Sequence, residues 1–210
     1  MTFANLLSPK FKVYDFDDRS SADVIRIMFK AFGAPYEEVL VKKDEQWDSL
    51  KEEMPLRSLP VLEVDGVRIG GLTAICRQLA WRFGLSGRTA TEDSLVDMIA
   101  DVIHEAFVTL HIGSDFLQKA DDEESKKTDE KMKKNYLQER IGPIIEKQLL
   151  KNGNGFLVGD QVTWVDLLAV ALFKTYIDNG HRDYFEKFPN LLRHYDSITK
   201  QYYSINDMKS

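Results

Sequence analysis

A chain of 210 residues with 43% hydrophobic side chains is long enough for one large domain or two small ones with real apolar cores. A formal net charge of −6 with no basic stripe argues against a nucleic-acid partner. We expect a soluble, cytoplasmic protein without membrane contact, because no apolar run reaches the roughly 18 residues that span a bilayer, the first residues have no signal-peptide pattern, and a single cysteine excludes an internal disulfide.

The first part of the chain alternates strand and helix patterns. Phe11–Phe16 is typical of a strand, and residues 20–33 predict a helix that ends at Gly33. Ser20 and Asp23 have capping-box spacing at the start of that helix. Residues 36–41 alternate in part and predict a second strand. Together these segments predict a βαβ unit.

A strand, a hairpin and a helix follow within residues 59–83. Residues 59–64 are an apolar strand with Pro60 near its start, and the Asp65-Gly66 pair predicts a tight turn into a strand at 67–69. Leu72–Phe83 has apolar residues at helical spacing. Because proline cannot donate to a strand ladder, Pro60 marks a strand start, a bulge or a cis bond. The order βαβ and then ββα predicts a thioredoxin-like domain.

The second part of the chain has helical patterns throughout. Helices are predicted over about 92–118, 127–151, 164–178 and 188–203, after a linker rich in glycine, serine and threonine at 84–91. We therefore expect a thioredoxin-like domain over 1–83, the linker, and an all-helical domain over 92–210. Thr163 and Asp166 fit the N-cap and N3 positions of a helix start, which we interpret as structural.

Metal and redox chemistry find little support in the sequence. The four histidines have no metal-ligand spacing, so no metal is expected. Cys76 lies inside a predicted helix and not at a helix N-terminus, which favours a buried structural thiol. No glycine-rich phosphate loop or nucleophile elbow is present.

Three motifs carry a family resemblance: LPVLEVDG at 59–66, AICRQLA at 74–80, and GFLVGD with the following Thr163-Trp164-Val165-Asp166 box. Over nearly the whole chain the sequence resembles glutathione transferases, specifically the sigma-like class of invertebrates, including nematodes. The resemblance implies a thioredoxin-like domain with a cis bond before Pro60, followed by a helical bundle. It also implies conjugation of glutathione, as co-substrate, to small hydrophobic electrophiles in detoxification, and a homodimer.

The residues that would activate glutathione depart from the family pattern. Where the sigma-like class has a tyrosine that stabilises the glutathione thiolate, this chain has Asp15, which offers no proton when ionised. Tyr14 is one residue away and points to the other face of a strand unless a bulge intervenes. Ser21 replaces an expected arginine. Ser20 and Ser21 are possible substitutes as hydroxyl donors at the first helix, or they are simply an N-cap serine and its neighbour.

The γ-glutamyl end of the expected glutathione site also differs, while other positions match. Gly71 and Leu72 replace the family's Gln-Ser pair, and each lost charged hydrogen bond costs about 1.5–3 kcal/mol. The positions that match the family pattern are those that would contact the glycyl end or the cysteinyl unit of glutathione, or reach across the dimer. They are Trp47, Lys51, Leu59, Pro60 and Asp101.

Two functions remain open at the level of sequence. One is a divergent transferase with weak or lost conjugation. The alternative is a non-catalytic binding or structural protein on the same fold, as with the lens crystallins derived from this family. Asp15 and Leu72 favour the non-catalytic protein, whereas Trp47, Lys51 and Asp101 favour the transferase. In the structural interpretation, Trp47 only anchors a loop, and Lys51 and Asp101 are surface charges.

Overall fold

The computed structural model describes residues 9–17, 22–117 and 123–203, without the side chains of residues 111–117 and 123. Its internal contacts divide the chain into two units, Met1–Phe83 and Gly84–Ser210. We call them the N-terminal unit and the helical unit. The expected Ser20 and Ser21 lie outside the described residues.

The N-terminal unit is a mixed four-stranded sheet with helices, which confirms the thioredoxin-like prediction. Its strands follow the order β2-β1-β3-β4, with β1 parallel to β2 and antiparallel to β3, and β3 antiparallel to β4. The elements in chain order are β1 (Phe11–Phe16), α1 (Asp23–Phe32), β2 (Glu37–Val41), α2 (Glu45–Leu50) with a 3₁₀ turn (Lys51–Glu53), β3 (Val61–Val64), β4 (Val67–Gly70) and α3 (Leu72–Phe83).

Alternation along β1 directs its side chains to two different environments. Phe11 packs edge-on against Phe29 of α1 and Phe83 of α3, with ring centroids 5.1 and 6.3 Å apart. Tyr14 lies in a second cluster with Met54 and Val61. The sheet therefore has one face toward α1 and α3 and another toward the segment that contains α2.

The expected cis bond before Pro60 is present, and β3 begins at the next residue. The predicted helix at 20–33 appears as α1, which begins at Asp23 after Ala22 and has no side-chain cap. It ends as predicted at Gly33, which has φ 61°. The left-handed conformation that ends a helix in this way favours glycine.

The second unit contains helices and no strand among its described residues, as the sequence predicts. Leu85 is buried, and its carbonyl accepts a hydrogen bond from the Trp164 amide at 2.9 Å, so the segment before the first long helix packs within this unit. The helices are α4 (Ala90–Leu117), α5 (Glu123–Tyr136), α6 (Gly142–Asn152), α7 (Trp164–Ile177) and α8 (Pro189–Tyr202).

The predicted capping box at the start of α7 is confirmed. The Thr163 amide and hydroxyl both donate to Asp166 Oδ2 at 2.8 Å. Asp166 Oδ1 accepts from the Leu157 amide at 2.8 Å and lies 2.9 Å from His194 Nε2 of α8. Because Asp166 and His194 are both buried, this carboxylate joins the start of α7 to α8 and to the preceding loop.

The helix predicted over 127–151 is present, but a π-helical turn interrupts its α-helical hydrogen bonding. The structure has α5, then a π-helical turn at Leu137–Ile141, then α6. Pro143 lies in the first turn of α6 and has no N–H for the preceding turn. An inserted π turn is a recognised solution to such a break in the hydrogen-bond ladder.

Gly142, the first residue of α6, lies against the ring of Phe188, the residue before α8. A Cβ at this position would overlap carbon Cε2 of the Phe188 ring. We expect Gly142→Ala to lower the free energy of unfolding by about 1–3 kcal/mol, as overpacked cores do. Urea unfolding of the single variant and of Gly142→Ala with Phe188→Leu checks this, because the smaller side chain should recover most of the loss. A neutral single variant would contradict it.

Candidate functional site

Asp15, at the position expected for the catalytic tyrosine, is buried and ion-paired. Its carboxylate Oδ2 accepts from Arg26 Nη2 of α1 at 2.8 Å, and the residue is 1% exposed. Arg26 also donates to Asp23 at 2.9 Å and to Glu38 of β2 at 2.5 Å. One guanidinium thus pairs with three carboxylates, and its bond to Asp15 connects β1 to α1.

The electrostatics of this cluster favour charged groups. Burial alone would lower the pKa of the Arg26 guanidinium, but the hydrogen bond to Glu38 and the charge of Asp15 raise it above its ordinary value. A permanently charged Arg26 at 2.8 Å stabilises the ionised form of Asp15. In that form Asp15 accepts hydrogen bonds and cannot donate one to a thiolate.

Tyr14, the neighbour of Asp15, has its hydroxyl bound on the other side of the sheet. Its hydroxyl donates to Glu63 Oε2 at 3.2 Å, and Arg68 lies 5.2 Å from its ring centroid. The hydrogen bond from Arg68 and, to a smaller extent, that from Tyr14 lower the pKa of Glu63 against the opposing effect of burial. β1 pairs with β2 and β3 in continuous register through Tyr14, without a bulge.

Trp47 and Lys51 lie next to each other in the segment after β2. Trp47 packs against the cluster of Tyr14, Met54 and Val61, and its ring is edge-on to Phe16 at 5.2 Å. Lys51 follows α2 and forms no ion pair within the part of the chain that the structure describes. The ammonium is therefore available to a ligand carboxylate.

The segment around Leu59 and Pro60 continues from the same cluster. Leu59 is partly buried against Tyr14, Met54 and Val61, and Pro60 is buried. Because Leu59 precedes the first residue of β3, its backbone groups lie just outside the regular sheet ladder. Trp47, Leu59 and Tyr14 thus share one cluster, which brings together three of the predicted site residues.

Gly71 and Leu72 form the junction between β4 and α3. Gly71 has φ 88°, a conformation that side-chain-bearing residues rarely adopt, and its carbonyl accepts from the Ile75 amide at 3.0 Å. Leu72 is the first residue of α3 and is 4% exposed. Neither residue presents a polar side chain, so this junction offers a ligand only backbone groups.

Two residues discussed from the sequence, Asp101 and Cys76, lie outside the cluster around Tyr14. Asp101 is exposed on α4 in the helical unit. Cys76 is buried within α3, and burial raises the pKa of its thiol. No group of metal-binding side chains occurs among the described residues. Among those same residues, no helix is long and apolar enough to cross a membrane.

The comparison with protein families identifies both units. Residues 13–88 match the sequence model of the glutathione S-transferase N-terminal domain, and residues 109–202 match that of the C-terminal domain. The chain belongs to the glutathione S-transferase family. A probable glutathione S-transferase of Caenorhabditis elegans, gst-36, is 39% identical over 187 residues, 88% of each chain. Glutathione S-transferase 4 of the same nematode is 34% identical and covers 96% of this chain and 95% of its own.

Solved structures of nematode transferases have the same fold. A nematode-specific transferase of C. elegans superposes with a TM-score of 0.82 at 30% identity, over 97% of this chain and 98% of its own. A transferase of the hookworm Necator americanus, described as monomeric, gives a TM-score of 0.79 at 28% identity over 91% and 92%. The family and fold inferred from LPVLEVDG are therefore confirmed.

Sequence reasoning missed the partners of Asp15. Neither Arg26 nor Glu38, which the structure brings together around Asp15, was predicted. The available signal was Arg26 in the first turns of the helix that follows a strand with a buried acidic residue. A carboxylate inside a sheet needs a cationic or hydrogen-bonding partner, and the following helix is the nearest source.

Proposed function

We propose that this transferase-fold protein has weak or lost conjugating activity and binds glutathione only weakly. The observation that carries the proposal is the ion pair between the buried Asp15 carboxylate and the half-buried Arg26 guanidinium. A transferase needs a hydrogen-bond donor to the thiolate of glutathione, because the thiolate is the nucleophile. An ionised carboxylate at that position repels a thiolate and favours the neutral thiol.

Substitution by the neighbouring tyrosine is disfavoured by the same geometry. The Tyr14 hydroxyl already donates to Glu63, and the strand lacks the bulge that would turn Tyr14 to the other face. Ser20 and Ser21 stay open as donors in this proposal, since they lie outside the described residues.

Weak binding of glutathione is proposed from the γ-glutamyl end of the site, at Gly71 and Leu72. Glycine at 71 has no side chain, and Leu72 is buried and apolar, so the γ-glutamyl group would lose two polar partners. At about 1.5–3 kcal/mol for each charged hydrogen bond, this weakens binding by two or more orders of magnitude. Lys51, the Leu59 backbone and Asp101 would supply the remaining contacts.

We expect glutathione and S-methylglutathione to bind with similar dissociation constants, about 1 mM or weaker. If the site does not ionise the thiol, then capping the sulfur removes no favourable interaction. Isothermal titration calorimetry of both ligands, together with the conjugation rate of an aryl halide, measures this. Glutathione binding ten times tighter than S-methylglutathione, with brisk conjugation, would overturn the proposal.

A second candidate is a non-catalytic binding or structural protein on the same fold. Leu72 favours it, because a buried apolar residue at a ligand-binding position is what a chain acquires when the ligand is no longer needed. In the same calorimetry, absence of any saturable glutathione binding, together with absence of conjugation, would select this candidate.

We also propose a cytoplasmic homodimer, in which Asp101 of one copy faces the glutathione site of the other. Asp101 is exposed on α4, as a contact across a dimer requires. The hookworm relative described as monomeric makes the test worthwhile. Light scattering should give the mass of two 24.2 kDa chains at micromolar concentration, and the mass of one chain would refute the dimer.

A further inference from the structure

The helical unit contains three Asn-Gly pairs, at 152–153, 154–155 and 179–180. In such a pair the backbone nitrogen of the glycine can attack the side-chain carbonyl carbon of the asparagine, because glycine has no side chain to shield that nitrogen. The attack begins the spontaneous deamidation of asparagine. The three pairs differ in the hydrogen bonds of the attacking nitrogen and of the attacked carbonyl, and both differences select the same pair.

Two of the three glycine amides are held by hydrogen bonds at helix ends. The Gly153 amide donates to the Leu149 carbonyl at 2.9 Å, as the C-cap of α6. The Gly180 amide donates to the Ile177 carbonyl at 3.1 Å, just beyond α7. The Gly155 amide makes no hydrogen bond with the described residues, and Gly155 is exposed. Its nitrogen is therefore available to attack, whereas the other two must first give up a hydrogen bond.

The side-chain carbonyl of Asn154 lies between two N–H donors. Its Oδ1 accepts from the Phe156 amide at 3.1 Å and from Asn152 Nδ2 at 2.9 Å. When a nucleophile attacks Cγ, negative charge develops on Oδ1, and these two donors are already in place to stabilise it, as in an oxyanion hole. The Oδ1 atoms of Asn152 and Asn179 accept no hydrogen bond from the described residues.

We propose that Asn154 is a site of spontaneous deamidation in the folded protein, and that the modification destabilises the helical unit. Hydroxide removes the proton of the Gly155 amide, and the nitrogen attacks Asn154 Cγ. The new N–Cγ bond closes a succinimide ring, the Cγ–Nδ2 bond breaks, and ammonia leaves with a proton taken from water. Water then opens the ring to aspartate or isoaspartate. The reaction uses no residue of the expected glutathione site, so it does not depend on glutathione binding.

Either product changes the loop that leads to Leu157. A carboxylate at position 154 cannot donate to the Gly159 carbonyl, to which Asn154 Nδ2 donates at 2.7 Å. Isoaspartate also inserts a methylene group into the main chain between α6 and Leu157. The Leu157 amide donates to the buried Asp166 carboxylate at 2.8 Å, so a shift of this loop disturbs the capping network of α7.

The test follows all three pairs in one sample by tryptic mapping, after incubation in mildly alkaline buffer with and without guanidinium chloride. Tandem mass spectrometry of the peptide 152–174 separates Asn152 from Asn154, and the peptide 175–182 contains Asn179. We expect similar rates in the unfolded chain. In the folded protein Asn154 should react at least as fast as when unfolded, and at least tenfold faster than the other two, since one donor to a developing oxyanion is worth roughly 100-fold.

The deamidated fraction carries one more negative charge and separates from the intact protein by anion exchange. It should unfold at a lower urea concentration than the intact protein. Asn154→Gln is the matched control: taken through the same incubation, it should keep its own urea midpoint. Slowing of Asn154 on folding by as much as the other two pairs would overturn the proposed site. An acidic fraction with the midpoint of the intact protein would overturn the proposed effect on the helical unit.

Discussion

Asp166→Ala is expected to lower the free energy of unfolding of the helical unit by about 3–5 kcal/mol. The carboxylate is fully buried and accepts hydrogen bonds from the Thr163 amide and hydroxyl, the Leu157 amide and the His194 ring. Alanine would leave these donors buried without an acceptor, and a stranded buried donor costs the full desolvation penalty of its group.

Trp164 makes this loss measurable within one unit. It is 1% exposed at the first position of α7, next to the capping box, whereas Trp47 and Trp81 belong to the N-terminal unit. In a Trp47→Phe and Trp81→Phe background, fluorescence during urea unfolding reports on the helical unit. Asp101→Ala, an exposed acid of α4, should change the midpoint little. A cost below 1 kcal/mol for Asp166→Ala would show that water replaces the carboxylate.

The hydrogen bonds of Asp166 to Thr163 and to His194 differ in how far they can be predicted from the sequence. Thr163 and Asp166 are three residues apart, so local spacing was enough to predict the capping box. His194 lies 28 residues beyond Asp166 and is brought to it only by the packing of α8. Local patterns likewise predicted β1, the hairpin and α3, because period and turn chemistry are local properties. The π turn at Leu137–Ile141 escaped, because the helical pattern of side chains continues through it.

The candidate site divides in the same way. The motif LPVLEVDG was sufficient to predict the family and, with its spacing to AICRQLA, to locate Gly71 and Leu72. It carried no information about Arg26, because the pairing with Asp15 depends on how α1 packs on the sheet. Sequence alone presents Asp15 as a missing hydroxyl. The structure adds that its buried carboxylate is a counter-charge of the half-buried Arg26 guanidinium, so the position has acquired a structural role.

Asp15→Tyr alone is therefore expected to destabilise the N-terminal unit by about 2–4 kcal/mol and to restore little activity. A tyrosine would enter a position that is 1% exposed, and Arg26 would lose one of its three carboxylates. The partners Asp23 and Glu38 remain, which keeps the cost below that of an unpaired buried charge. Glutathione would still lack side-chain partners at Gly71 and Leu72.

The triple variant Asp15→Tyr, Gly71→Gln, Leu72→Ser is expected to bind glutathione and to conjugate an aryl halide about 100-fold faster than the unmodified protein, as a restored hydrogen bond to a developing anion allows. The strain of a side chain at Gly71, with φ 88°, and the altered ion pair limit its stability. The matched control replaces Asp15 with Phe in the same background. It has the same ring and the same strain without the hydroxyl, so its unfolding should match that of the triple variant while its turnover stays low.

Equal turnover of the tyrosine and phenylalanine variants would show that position 15 does not supply the proton. Tyr14→Phe in the triple variant then separates the remaining donors. Because the Tyr14 hydroxyl is bound to Glu63 on the other face of the sheet, this change should leave the conjugation rate unaltered. A large loss of rate on Tyr14→Phe would mean that β1 shifts its register when glutathione binds. No loss would assign the proton to Ser20 or Ser21, which single Ser→Ala changes would then distinguish.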